Sequence, residues 1–73
     1  MCGIIGIASS KPVSMSIVNS LKKLEYRGYD SAGLATIDKN EISEKKCSGR
    51  VEELEKILFK TPSNGNLGIG HVR

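Results

Sequence analysis

Met1-Cys2-Gly3-Ile4-Ile5-Gly6-Ile7-Ala8 is the stretch on which the reading of the chain turns. It is a nearly continuous apolar run of strand length, the pattern of a β-strand covered on both faces. Gly3 and Gly6 weaken strand propensity and mark places where a backbone or a ligand comes close. The stretch also carries a chemical possibility. If Met1 is removed, Cys2 bears a free α-amine and a thiol on one residue. Their unperturbed pKa values are about 7.7–8.0 and about 8.5, so proton transfer between them is nearly thermoneutral. Two readings stay open on this stretch alone. One is a small buried cysteine in an N-terminal strand. The other is an N-terminal nucleophile that uses its own amine as the base.

Outward from this run the pattern alternates. Ser9-Ser10-Lys11-Pro12 breaks the strand. Pro12 to Tyr26 reads as a helix, because proline suits the first helical position and Val13, Ile17, Val18, Leu21 and Leu24 form one apolar stripe. Lys22 and Lys23 fall in its last turns, where the helix dipole favours cations. Glu25-Tyr26-Arg27-Gly28-Tyr29-Asp30-Ser31 ends it, with Gly28 able to supply a left-handed cap. That cluster reads either as a cap and turn with two half-buried tyrosines or as part of a site. Ala32 to Ile37 reads as a second strand. Asp38-Lys39-Asn40 is turn chemistry, and Glu41 to Cys47 is a third strand with the charged look of a sheet edge. The two make a hairpin with a three-residue loop. Ser48 is the expected cap of a helix from Gly49 to Lys60, with Val51, Leu54, Ile57 and Leu58 as its apolar stripe. Residues 61–66 are loop, and Leu67 to Arg73 is a fourth strand. Two helices and four strands imply helices packed on a sheet, an α+β fold.

Composition sets the limits. A chain of 73 residues holds one domain at most, and at that size only about 60% of the unfolded surface is buried on folding. There is no Trp, one Phe and two Tyr. With so thin a core, and with the chain stopping on a strand, the expectation is an incomplete piece of a larger domain.

Several functions are disfavoured. The net charge of +3 comes from scattered pairs, Lys22-Lys23 and Lys45-Lys46, with no aromatic interleaving, so no nucleic-acid surface is expected. No run approaches a membrane span, and no signal or lipidation pattern is present. The protein is expected to be cytoplasmic with reduced thiols. Cys2, Cys47 and the single histidine, His71, do not have zinc spacing. The glycines at 65, 68 and 70 have the wrong intervals for a dinucleotide loop. Ser31 has no base near it in sequence for a serine triad. His71 is the one histidine that could serve a cysteine nucleophile, and a structural role is its other reading.

Three runs then carry a resemblance. Met1-Cys2-Gly3-Ile4-Ile5-Gly6, Leu24-Glu25-Tyr26-Arg27-Gly28-Tyr29-Asp30-Ser31-Ala32-Gly33, and Gly68-Ile69-Gly70-His71-Val72-Arg73 resemble the start of the glutaminase domain of the glucosamine-6-phosphate synthase family. Ser48-Gly49-Arg50-Val51 with Leu54 is similar to a helix start of that family. The Cys-Gly-Ile opening is shared by all class II glutamine amidotransferases. The Tyr26 to Gly33 run is the more specific signal and argues against the other members. The resemblance runs the length of the chain but reaches only about the first third of such a glutaminase domain.

The resemblance implies the following. The fold is the N-terminal part of an N-terminal-nucleophile hydrolase αββα four-layer sandwich. Cys2 is the nucleophile that attacks the glutamine side-chain amide, and its freed amine is the base. Arg73 holds the substrate carboxylate, a role its planar fork suits. Arg27 and Tyr29 order the site. No cofactor or metal is implied. The parent enzyme, a homodimer, passes ammonia to fructose 6-phosphate in isomerase domains that this chain lacks, forming glucosamine 6-phosphate. Val72 departs from the family, which has threonine there. The family continues after Arg73 with Trp-Ala-Thr-His-Gly, and later supplies an Asn-Gly oxyanion hole and an aspartate for the substrate amine. Loss of one oxyanion donor costs about 10²–10³ in turnover, so the 73-residue chain is expected to be inactive alone. The alternative is a non-catalytic relic or an α/β interaction module.

Overall fold

The computed structural model describes residues 3–24 and 31–73. Their elements run β1 (Gly3–Ala8), α1 (Ser14–Leu24), β2 (Ser31–Asp38), β3 (Glu41–Ser48), α2 (Val51–Lys60) and β4 (Leu67–Val72). The strands form one antiparallel sheet in the order β1-β4-β2-β3, so the last strand in sequence lies inside the sheet. β4 pairs with β1 from Gly3–Val72 to Ala8–Leu67, and with β2 from Ala32–Val72 to Ile37–Leu67. Among the described residues this is a small α+β unit of two layers, one sheet and two helices.

Both helices lie on one face of the sheet, and the alternation along β4 explains how. Gly68, Gly70 and Val72 are buried while Leu67 and Ile69 are exposed. The two glycines leave room for α1 to settle on the sheet. A Cβ at Gly68 would lie 2.9 Å from Ile17 Cδ1, and one at Gly70 would collide with Ile17 Cγ2. Small residues on the strand thus seat large ones on the helix. Ile17, Val18 and Leu21 of α1 and Val51 and Leu54 of α2 are fully buried, over Ala32, Leu34 and Val72 of the sheet. Burying each such aliphatic side chain stabilises the fold by about 1.5–3 kcal/mol. Lys22 and Glu55 join the two helices at 2.8 Å on the solvent side.

Several boundaries differ from those read in the sequence. α1 begins at Ser14 rather than Pro12: the Val13 carbonyl accepts from Ile17 N–H at 2.9 Å, and Val13 N–H donates to Gly65 O at 3.0 Å. Its predicted last residues, 25 and 26, lie outside the described residues. Ser48 does not cap α2. It ends β3, Gly49 turns the chain at φ +91°, and Arg50 stands at the N-cap in an extended conformation with no side-chain cap bond. The hairpin loop has two residues, not three. Asp38 pairs with Glu41, and Lys39 and Asn40 both take positive φ, 51° and 68°. That is the turn whose twist matches the strands it joins. β3 is an edge strand, as its charges suggested.

Among the described residues, β1 is covered on one face only. Ile5 and Ile7 pack against the core, whereas Ile4 is 80% exposed. The whole sheet shares this asymmetry. Ile4, Ile37, Ile42, Leu67 and Ile69 are exposed large apolar residues, and by strand alternation they occupy the face away from the helices. No described helix is long and apolar enough to cross a membrane.

Candidate active site

Of the residues predicted to form a site, Arg73 lies among the described residues, whereas Cys2, Arg27 and Tyr29 lie outside them. Arg73 follows β4 and is held by its backbone. Its N–H donates to Ser31 O at 2.9 Å, and its carbonyl accepts from Ser31 N–H at 3.2 Å. The side chain is exposed. Continuing the alternation of Leu67, Ile69 and His71 puts Arg73 on the open face of the sheet.

The neighbours of Arg73 define one end of the sheet. Gly3 pairs with Val72, as does Ala32. A Cβ at Gly3 would be 3.0 Å from Leu24 Cδ1 and 3.4 Å from Val72 Cγ2. Gly3, Leu24, Ser31 and Arg73 therefore converge there: the start of β1, the end of α1, the start of β2 and the end of β4. Residue 2 is covalently joined to Gly3, and residues 25–30 link Leu24 to Ser31. Consecutive Cα atoms are about 3.8 Å apart. The described residues that flank the three runs singled out in the sequence thus lie at one end of the sheet.

Two further positions gain a definite place. His71 is half-buried on the open face, paired with Ile4 on one side and Gly33 on the other. Its imidazole lies over Gly33, where an added Cβ would come within 2.7 Å of Nε2. It lines a small cleft of about 70 Å³ with Ala35, Glu44, Lys46 and Ile69. Val72, the departure from the family pattern, is 1% exposed and packs in the core beneath the helices. A valine suits that position, and it points away from the face on which Arg73 stands. The part played by Ser31 was not visible in the sequence: it acts through its backbone, and hydroxyl chemistry gave no hint of it.

Another chemistry-bearing side chain among the described residues is Cys47, half-buried, whose Sγ donates to Arg50 O at 3.8 Å. Among the described residues no three His, Cys, Asp or Glu side chains gather to hold a metal ion.

Comparison with known proteins bears on this end of the sheet. No family model matches the chain. Curated relatives do match, over all 73 residues. They include the glutamine–fructose-6-phosphate aminotransferases (isomerizing) of Bartonella henselae at 53% identity, Clostridium acetobutylicum at 51% and Bradyrhizobium diazoefficiens at 49%. The chain is homologous to the N-terminal region of this aminotransferase family. It spans 12% of the length of these aminotransferases. Similarity to the aminotransferases is continuous from Met1 to Arg73. It therefore takes in the three runs singled out in the sequence as well as both helices.

Proposed function

We propose that the chain is the beginning of a glutamine-hydrolysing domain whose nucleophile is Cys2, exposed by removal of Met1. The observation that carries this reading is the convergence of Gly3, Leu24, Ser31 and Arg73 at one end of the sheet. It is supported by the family to which the chain is homologous.

In this reading the thiol proton of Cys2 passes to the α-amine, directly or through one water. The thiolate then attacks the side-chain amide carbon of glutamine. The ammonium so formed returns the proton to the departing nitrogen, releasing ammonia and leaving a thioester. Water hydrolyses the thioester to glutamate and regenerates the thiol. Arg73 holds the α-carboxylate of glutamine in two parallel charge-assisted hydrogen bonds, and Arg27 and Tyr29 order the site around it. In a protein of the relatives' length the ammonia converts fructose 6-phosphate to glucosamine 6-phosphate, and the enzyme is a cytoplasmic homodimer. The domain is an αββα sandwich of the N-terminal-nucleophile type. The apolar open face of the sheet supports that assignment, because it suits a second sheet stacked about 10 Å away. The 73-residue chain alone lacks the oxyanion donors and is inactive.

The test is a glutamine-like electrophile applied to a chain of the relatives' length, followed by peptide mass spectrometry. The expected result is one adduct, on Cys2, in a chain without Met1. An adduct elsewhere, or retained Met1, overturns the proposal.

A further inference from the structure

The end of the sheet away from Arg73 carries a cluster of hydroxyl groups for which the proposed reaction has no use. Thr36 on β2 is 1% exposed, and its Oγ1 has no hydrogen-bond partner. Buried polar atoms in folded proteins are nearly always paired, with protein or with ordered water. Close by, Ser43 Oγ and Ser63 Oγ lie 3.2 Å apart, and Ser14 Oγ donates to Ser63 O at 3.1 Å. Thr36, Ser43 and Ser63 line one cavity of about 190 Å³, with Asp38, Glu41 and Asn64 also on its wall. The orientation of Thr36 follows from its neighbour on β4. A Cβ at Gly68 would lie 2.9 Å from Thr36 Cγ2, so the methyl stands over β4. Tetrahedral geometry at Cβ then turns Oγ1 away from β4, and the residue paired with Thr36 on the other side is Ser43 of β3.

We propose that an ordered water molecule in this cavity is held by Thr36 Oγ1 together with the Ser43 and Ser63 hydroxyls. Each hydroxyl offers one donor and two acceptor positions. The Ser43–Ser63 contact uses one hydrogen, so a donor and several lone pairs of this pair remain for a third group. A buried water wants two to four polar partners and about 10–15 Å³ of room; three hydroxyls line the cavity, and its volume of about 190 Å³ exceeds what one water needs. A hard cation fits less well, because it takes six or more oxygen ligands with carboxylates among them. Asp38 and Glu41 are exposed ends of the hairpin, and no larger acidic cluster exists among the described residues.

The water ties three segments: the β2–β3 hairpin through Thr36 and Ser43, the 61–66 loop through Ser63, and the start of α1 through the Ser14 bond to that loop. Backbone bonds reinforce the same loop, from Val13 N–H to Gly65 O at 3.0 Å and from Ser9 N–H to Asn66 O at 2.9 Å. β4 begins directly after the loop. The site therefore fixes the entry of the strand that ends in Arg73.

A crystal structure at a resolution that shows ordered solvent tests this directly. The expected density includes a peak about 2.7–3.2 Å from Thr36 Oγ1 and from Ser43 or Ser63 Oγ. An empty cavity, a Thr36 hydroxyl bonded straight to Ser63, or a peak surrounded by six or more oxygens at about 2.3–2.6 Å overturns the proposal. Thermal unfolding gives a second reading. Thr36→Val is expected to lower Tm by about 4–8 °C, and the Val effect to shrink in a Ser43→Ala background. A rise in Tm for Thr36→Val, or full additivity with Ser43→Ala, contradicts a bound water. If the variants do not fold, the density in the unaltered chain decides alone.

Discussion

Ser31 and Arg73 exchange both of their backbone hydrogen bonds, at 2.9 and 3.2 Å, although Arg73 lies one residue past the end of β4. The root of the arginine side chain is thereby fixed by the sheet, while the guanidinium is left to solvent. Position and chemistry at residue 73 are separable.

This separation gives the first prediction. In a chain of the relatives' length, Arg73→Ala should raise the KM for glutamine about 10–150-fold, corresponding to the loss of hydrogen bonds to a charged group worth about 1.5–3 kcal/mol. Arg73→Lys should recover only part of this, because lysine lacks the planar fork. The fold should be unaffected in both, since only the backbone of residue 73 takes part in the sheet. Steady-state glutaminase kinetics with circular dichroism on the same samples would check this. Unfolding of both variants would contradict the separation.

Two glycines should fail for different reasons when replaced by alanine. At Gly70 the added methyl meets Ile17 Cγ2 in the core, an overpacking that costs about 1–3 kcal/mol. At Gly49 nothing lies within 4 Å, but φ is +91°, a conformation that disfavours any Cβ by about 1–2 kcal/mol. A compensating Ile17→Leu, which lacks the Cγ2 branch, should rescue part of Gly70→Ala and none of Gly49→Ala. Denaturant titration of the single and double variants would show it.

Lys22→Ala should lower stability by less than about 1 kcal/mol in spite of the 2.8 Å contact with Glu55. The two side chains are 42% and 22% exposed, and such pairs are screened by water and salt. Unfolding at low and high ionic strength should separate the variant from the parent chain only at low salt. A loss of several kcal/mol would mean that the pair does more than bridge the helices.

The open face of the sheet should make the 73-residue chain associate with itself. Ile4, Ile42 and Ile69 are 80%, 73% and 59% exposed on it, and contiguous apolar surface of this kind marks an interaction surface or an aggregation liability. Ile69→Thr with Ile4→Thr should shift the chain toward monomer without lowering Tm, because neither side chain packs beneath the helices. Sedimentation over a range of concentrations measures the first effect. A concentration-independent monomer of the unaltered chain would sink the idea.

The parts of the fold read correctly from sequence are those with a local cause. The stripe of Ile17, Val18 and Leu21 announced α1, and the charges on Lys45 and Lys46 announced an edge strand. The errors also have local causes that sequence hides. Ser48 has the chemistry of a cap, yet the β3 register claimed it, because its partner Ser31 sets the length of the hairpin. The Asn40 turn closed with two residues because both could take positive φ. The continuous apolar run of β1 suggested burial on both faces, but the described helices cover one. At the candidate site, Arg73 was singled out by the resemblance of its strand to a family motif. The pairing that holds it was not, because it joins residues far apart in the chain.

The interior place of β4 governs the order in which the sheet can assemble. The β2–β3 hairpin closes through a two-residue turn and can form early. β1 is made first, yet its sheet partner is β4, and it has none until residues 67–72 have left the ribosome. The contacts that complete the sheet are therefore the longest in sequence, and such closures are slow. During that interval the Gly3–Ala8 strand presents an uncharged, unpaired edge to the cell. Emerging chains of this sequence would accordingly be good clients for chaperones that recognise extended apolar segments, and most exposed just before synthesis of the last strand is finished.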